Sequence, residues 1–99
     1  MIKSYSIVID MEATGKKIRE LRKQKQLTVS ELAEIMNSSE NAIFKWQRGE
    51  CLPTVDNLVV LSKVFETSLD DIVQREERGD EPLFPLYRHI NILLTIKLQ

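Results

Sequence analysis

The chain predicts an all-α domain of five short helices flanked by short N- and C-terminal extensions. Three observations carry that prediction. Five runs place apolar residues at i, i+3 and i+4 spacing, most of them preceded by a Ser or Thr suited to a helix N-cap. The connections between these runs are only about two to five residues long, which suits helices packed directly against their neighbours. Three glycines, three prolines and six aromatics among 99 residues leave no room for a low-complexity or solenoid chain.

Residues 1–13 form the first extension. Tyr5, Ile7, Ile9 and Met11 alternate with Ser6, Val8 and Asp10, a period of two that suggests a short strand in need of a partner. The helical domain is expected over residues 14–73. Its first helix follows Thr14, read as the N-cap, with Ile18 and Leu21 inward and the lysines and arginines outward. The second opens at Thr28, and Glu31 stands three residues on, the spacing of a capping box; Leu32, Ala33 and Met36 supply its inner face. Asn37 suits a left-handed helix end. Ser38 and Ser39 offer the next cap, before a run over 40–48 that carries Ile43 and Trp46 and closes at Gly49. After the break at Leu52-Pro53, Thr54 caps a fourth helix with Leu58, Leu61, Val64 and Phe65 on its apolar side. A fifth begins at Ser68, with Leu69, Ile72 and Val73 apolar.

Residues 74–82, QREERGDEP, read as a charged linker. Residues 83–99 are apolar again and present a candidate dimerisation element. Ile90, Ile92, Leu94, Ile96 and Leu98 alternate as in a strand, while Leu83, Leu86, Tyr87, Ile90, Leu93 and Leu94 fit a helix, the preferred of the two readings.

Charge and composition narrow the function classes. The net charge is −1, yet it is unevenly spread. Residues 14–50 hold eight basic side chains against five acidic, and the remainder holds six against ten. A basic half hints at an anionic partner, though lysine-rich helices are commonly just solvated faces. No apolar run approaches the roughly 20 residues that span a bilayer, and the N-terminus does not read as a secretory signal. The single Cys51 excludes an internal disulfide and fits a cytoplasmic location; Cys51 and the distant His89 do not make a metal site. There is no phosphate-cradling glycine loop and no nucleophile–histidine arrangement, so neither an enzyme nor a cofactor is expected.

The ordered set GKKIRELRKQKQLT, SELAEIMNSSENAIFKWQRG, LPTVDNLVVLSKVF and SLDDIV, covering residues 14 to 73, resembles the lambda-repressor-like (Xre) helix-turn-helix family of bacterial and phage transcription regulators. That resemblance implies a five-helix DNA-binding bundle whose third helix enters the major groove, locked from beneath by Ile43 and Trp46. It implies base contacts from Glu40, Asn41 and Lys45, with Phe44 adjacent. Asn41 can bind adenine in a bidentate manner, Lys45 can donate to guanine, Glu40 can accept from cytosine, and Phe44 suits a thymine methyl. Phe44 fits a rim or protein-interface residue equally well. Phosphate contacts are implied for Thr28, Ser30, Ser39 and Arg48. Two positions depart from the family pattern: Val29 stands where glutamine is common, and Glu40 where arginine or glutamine is common. The implied function is that of a sequence-specific regulator of double-stranded DNA, acting as a homodimer on a palindromic operator and most simply as a repressor. No small-molecule substrate is expected. The alternative is an antitoxin-like or protein-interaction module that keeps the fold.

Overall fold

A computed structural model describes residues 4–79. Strand β1 (Tyr5–Ile9) leads into helices α1 (Met11–Gln24), α2 (Val29–Met36), α3 (Glu40–Gln47), α4 (Val55–Phe65) and α5 (Leu69–Ile72), followed by strand β2 (Arg75–Gly79). The five helices belong to one compact unit, Ile9–Arg75. The two strands pair in a two-stranded sheet; residues 4–8 and 76–79 fall in a second unit, where the Tyr5 hydroxyl donates to Glu77 Oε2 at 2.7 Å. The expectations for residues 83–99 lie outside the described residues.

The all-α five-helix bundle is the architecture found, and the caps explain why such short helices hold. Asp10, Thr28, Ser39, Thr54 and Ser68 each accept, through a side-chain oxygen, from the backbone N–H three residues on. Each bond satisfies a donor that a helix start leaves without an intrahelical partner. Three helix ends turn through left-handed residues, Gln26, Asn37 and Glu66, and α3 ends through Gly49.

Thr14 is not the first cap. Asp10 takes that role, accepting from Ala13 N at 2.9 Å, so α1 starts at Met11 and Thr14 lies within the helix, almost fully buried. There the Thr14 hydroxyl oxygen accepts from Gln74 N at 2.9 Å and ties the end of the bundle back to its beginning. The alternation over residues 5–11 conceals Asp10, because a strand that runs straight into a helix supplies the cap as its next residue. The expected linker is corrected as well: residues 75–79 of the 74–82 run are strand β2. Charged residues do not prevent pairing in a two-stranded ribbon whose other strand, β1, is exposed throughout.

Ile18, Leu21, Leu32, Ala33, Met36, Ile43, Trp46, Leu61, Phe65 and Ile72 form the core, with Leu58 and Val64 packed partly buried against it. Of the apolar residues of α5, a single turn, Ile72 is buried and Leu69 is exposed. α3 packs against both α1 and α2, α2 also meets α4, and α5 bridges α4 and α1.

Gly15 sets how closely α1 lies on α3. A Cβ at this position would stand 2.3 Å from Trp46 O and 2.7 Å from Gln47 O, both backbone atoms that cannot swing aside. Replacing glycine by alanine inside a helix ordinarily gains about 0.5–1 kcal/mol. Overpacking against a fixed backbone costs about 1–3 kcal/mol. Gly15→Ala is therefore expected to destabilise the fold, read as a lower denaturant midpoint at unchanged slope.

Candidate nucleic-acid interface

α3 has two faces with different duties. Ile43 is fully buried and Trp46 nearly so, whereas Glu40, Asn41, Phe44 and Lys45 are exposed, Phe44 with 42% of its surface accessible. The eight-residue helix thus offers four side chains to solvent from within two turns. Its N-terminus is fixed by Ser39, which accepts from Ala42 N at 3.0 Å. Its C-terminus closes with Gly49 N donating to Trp46 O and Glu50 N donating to Lys45 O, both at 3.0 Å. This is a double closure around a left-handed glycine with φ 73°. A Cβ on Gly49 would meet Glu12 Cα at 2.8 Å, so close approach also demands glycine there.

α2 is the other element of the motif. Thr28 Oγ1 accepts from Glu31 N at 3.0 Å and Thr28 N donates to Glu31 Oε1 at 3.0 Å, a reciprocal capping box. The backbone bond from Thr28, followed by the bond from its side chain, holds the Glu31 carboxyl below the ordinary glutamate range. Thr28, Ser30 and Ser39 are all exposed. The Ser39 oxygen is engaged as a cap acceptor, which leaves its hydroxyl the proton to donate outward. Val29 packs partly buried against the core, so the position where family members commonly carry glutamine serves packing here.

The cations of α1 are expected to face outward, but Arg22 does not. Arg22 is half-buried; its Nε donates to Gln47 Oε1 at 3.0 Å and its Nη1 to Leu27 O at 2.7 Å. One guanidinium thereby joins the end of α1, the turn into α2 and the last residue of α3. Nothing in the local sequence marks that role, since it depends on three segments meeting. Two further α1-side cations have acidic partners: Lys16 pairs with Glu12 at 3.6 Å, and Lys25 with Glu66. Hydrogen bonding from Lys25, then its charge, lowers the Glu66 pKa.

Arg48, the implied phosphate anchor, lies exposed directly after α3 and forms a two-bond fork with Glu50. That pairing was not anticipated from the sequence. Among the described residues no group of acidic, histidine or cysteine side chains is arranged to hold a metal ion, and no helix is long and apolar enough to cross a membrane.

The helix-turn-helix family profile matches residues 18–72, more than half of the chain. The chain belongs to the lambda-repressor-like helix-turn-helix family. It is 37% identical over 63 residues to the transcriptional activator BcrR of Enterococcus faecalis, a match covering 64% of this chain and 31% of BcrR. The P22 c2 repressor, solved in complex with a synthetic operator, superposes with a TM-score of 0.59 at 33% identity, covering 62% of this chain and 92% of that one. A stretch of the iron(II) form of HppE superposes with a TM-score of 0.61 at 18% identity, covering 66% of this chain and 38% of HppE, a likeness of fold alone. The chain spans about a third of the length of the curated relatives it matches, from 26% to 41%.

The capping box makes stability pH-dependent in a defined direction. A carboxyl whose pKa is lowered by folding stabilises above its unfolded value and loses that contribution as pH falls through the folded value. Glu31 starts from an ordinary value of 4.5. The melting temperature of Glu31→Gln is expected below that of the unaltered chain at neutral pH, and the gap is expected to close as pH falls from the ordinary value of 4.5 through the lowered folded value. A gap that stays constant through that whole fall would remove the carboxylate from the cap.

Proposed function

We propose that this protein is a transcriptional regulator that binds double-stranded DNA by inserting the exposed face of α3 into the major groove. The observation that carries the reading is the division of α3: Ile43 and Trp46 hold it from beneath, while Glu40, Asn41, Phe44 and Lys45 stand together in solvent. A groove about 12 Å wide admits one helix, and a helix whose inner face is anchored presents its outer side chains in fixed register. Asn41 supplies the amide for adenine, Lys45 the donor for guanine, Glu40 an acceptor for cytosine and Phe44 an apolar contact for a thymine methyl. Thr28, Ser30 and Ser39 donate to phosphates from the starts of α2 and α3, and Arg48 does so from the end of α3. The operator complex of the P22 c2 repressor, at 33% identity, supports this reading by likeness.

One such module offers few base contacts. The protein is therefore read as a homodimer on a palindromic operator, with half-sites about one helical turn apart. Repression follows most simply, because an occupied operator excludes other proteins from the same DNA. A second reading, a protein-interaction module on the same scaffold, draws on the exposed Phe44, on Glu40 and on the packed Val29.

Selection of bound sequences from a random duplex pool tests the choice. The unaltered chain is expected to enrich a two-fold-symmetric motif. Asn41→Ala is expected to lose discrimination at one base pair in each half-site, by about 1–3 kcal/mol. An unenriched pool, with binding indifferent to salt, would favour the protein-interaction module.

A further inference from the structure

The turn that ends α3 does more than stop a helix. Gly49 reverses the chain, Glu50 N returns to Lys45 O, and the Glu50 side chain comes back alongside Arg48. Arg48 Nε donates to Glu50 Oε1 at 3.1 Å and Nη2 donates to Oε2 at 3.0 Å. Two parallel N–H donors on two oxygens is also the arrangement by which a guanidinium grips a phosphate. The side chains are 53% and 50% accessible, so the pair sits at the surface rather than in the core.

We propose that Glu50 is a built-in competitor for Arg48: its carboxylate fills the guanidinium fork that a DNA phosphate would otherwise take, and so lowers affinity for DNA that is not well docked. The proposal rests on the reading of α3 as the DNA-facing helix. To grip a phosphate through its Nε–Nη2 edge Arg48 must release Glu50, and the released carboxylate then faces the phosphate chain. On loosely held DNA the exchange of one oxyanion for another yields little. When base contacts from α3 hold a phosphate firmly beside Arg48, the phosphate prevails. Glu50 thereby converts a contact that carries no sequence information into one conditional on correct docking. Bonding from Arg48, its charge and that of Lys45 keep the carboxyl ionised well below neutral pH, so the competitor stays charged at physiological pH.

The test is a four-protein cycle in the full chain: unaltered, Glu50→Gln, Arg48→Ala and the double variant. Each is titrated with a labelled mixed-sequence duplex across a salt series, and circular dichroism verifies that each is folded. Glu50→Gln is expected to bind about fivefold tighter, the upper range for an exposed ion pair. Its dependence of log K on log salt is expected to steepen by about 0.9, one further phosphate neutralised. In the Arg48→Ala background the same change is expected to gain less than about twofold, since no fork remains to be freed. Equal gains with and without Arg48 would make Glu50 a mere background charge and overturn the proposal. Weaker binding by Glu50→Gln would overturn it too, because Glu50 would then be orienting Arg48 for DNA. A failure of the underlying reading looks different: none of the four proteins would bind the duplex even at low salt.

Discussion

The close approach of α1 to the C-terminal end of α3 is the contact from which the rest of the arrangement follows. Gly15 lets a helix backbone lie directly against the carbonyls of Trp46 and Gln47, and Gly49 lets the turn after α3 pass Glu12 without a side chain between them. Once those backbones touch, Trp46 and Ile43 have one way to point, into the space among α1, α2 and α3. An eight-residue helix has little stability by itself in water. α3 therefore owes its rigidity to this packing and to its caps, and the fixed register of its outer face is a consequence.

Arg22 extends the same constraint into polar chemistry. Its guanidinium holds the α1–α2 turn through Leu27 O and the end of α3 through Gln47, so the relative positions of the two motif helices are set by hydrogen bonds as well as by apolar contact. Among the described residues no buried side-chain nitrogen or oxygen lacks a hydrogen-bond partner. Small bundles leave many helix ends, and here side-chain caps and left-handed turns satisfy them at short range, which lets the connections stay brief.

The electrostatics divide along similar lines. Lys16 and Lys25 each have an acidic partner and Arg22 is turned inward, so the basic excess of residues 14–50 exaggerates the positive charge that α1 shows to a partner. Attraction for a polyanion then depends more on the edge formed by the starts of α2 and α3 and the end of α3. That edge is also where Glu50 pairs with Arg48. The net charge of −1 does not weigh against the proposed DNA contact, because what counts is the charge within a Debye length of the contact, not the total.

Much of this protein was legible in its sequence, for reasons that are local. The helices at Thr28, Ser39, Thr54 and Ser68, the left-handed end at Asn37 and the inward stripe of Ile43 and Trp46 depend on residues within one or two turns of each other. Helical period and cap chemistry therefore expose them. Glu40, Asn41, Phe44 and Lys45 were singled out by the family resemblance rather than by periodicity, and all four lie exposed on α3. Asp10 was hidden, although it too is local, because a strand pattern ran up to it without a break. Strand β2 was hidden because its pairing partner lies some seventy residues earlier and its own residues are charged. Only the tertiary structure decided that Thr14 binds Gln74, that Arg22 faces inward to Gln47, and that Gly15 must be glycine. Each of these is a meeting of segments distant in sequence, fixed by how closely two helices can approach. The pairing of Arg48 with Glu50 spans two residues, yet it too needed the three-dimensional turn at Gly49, since a left-handed residue is what brings the two side chains together.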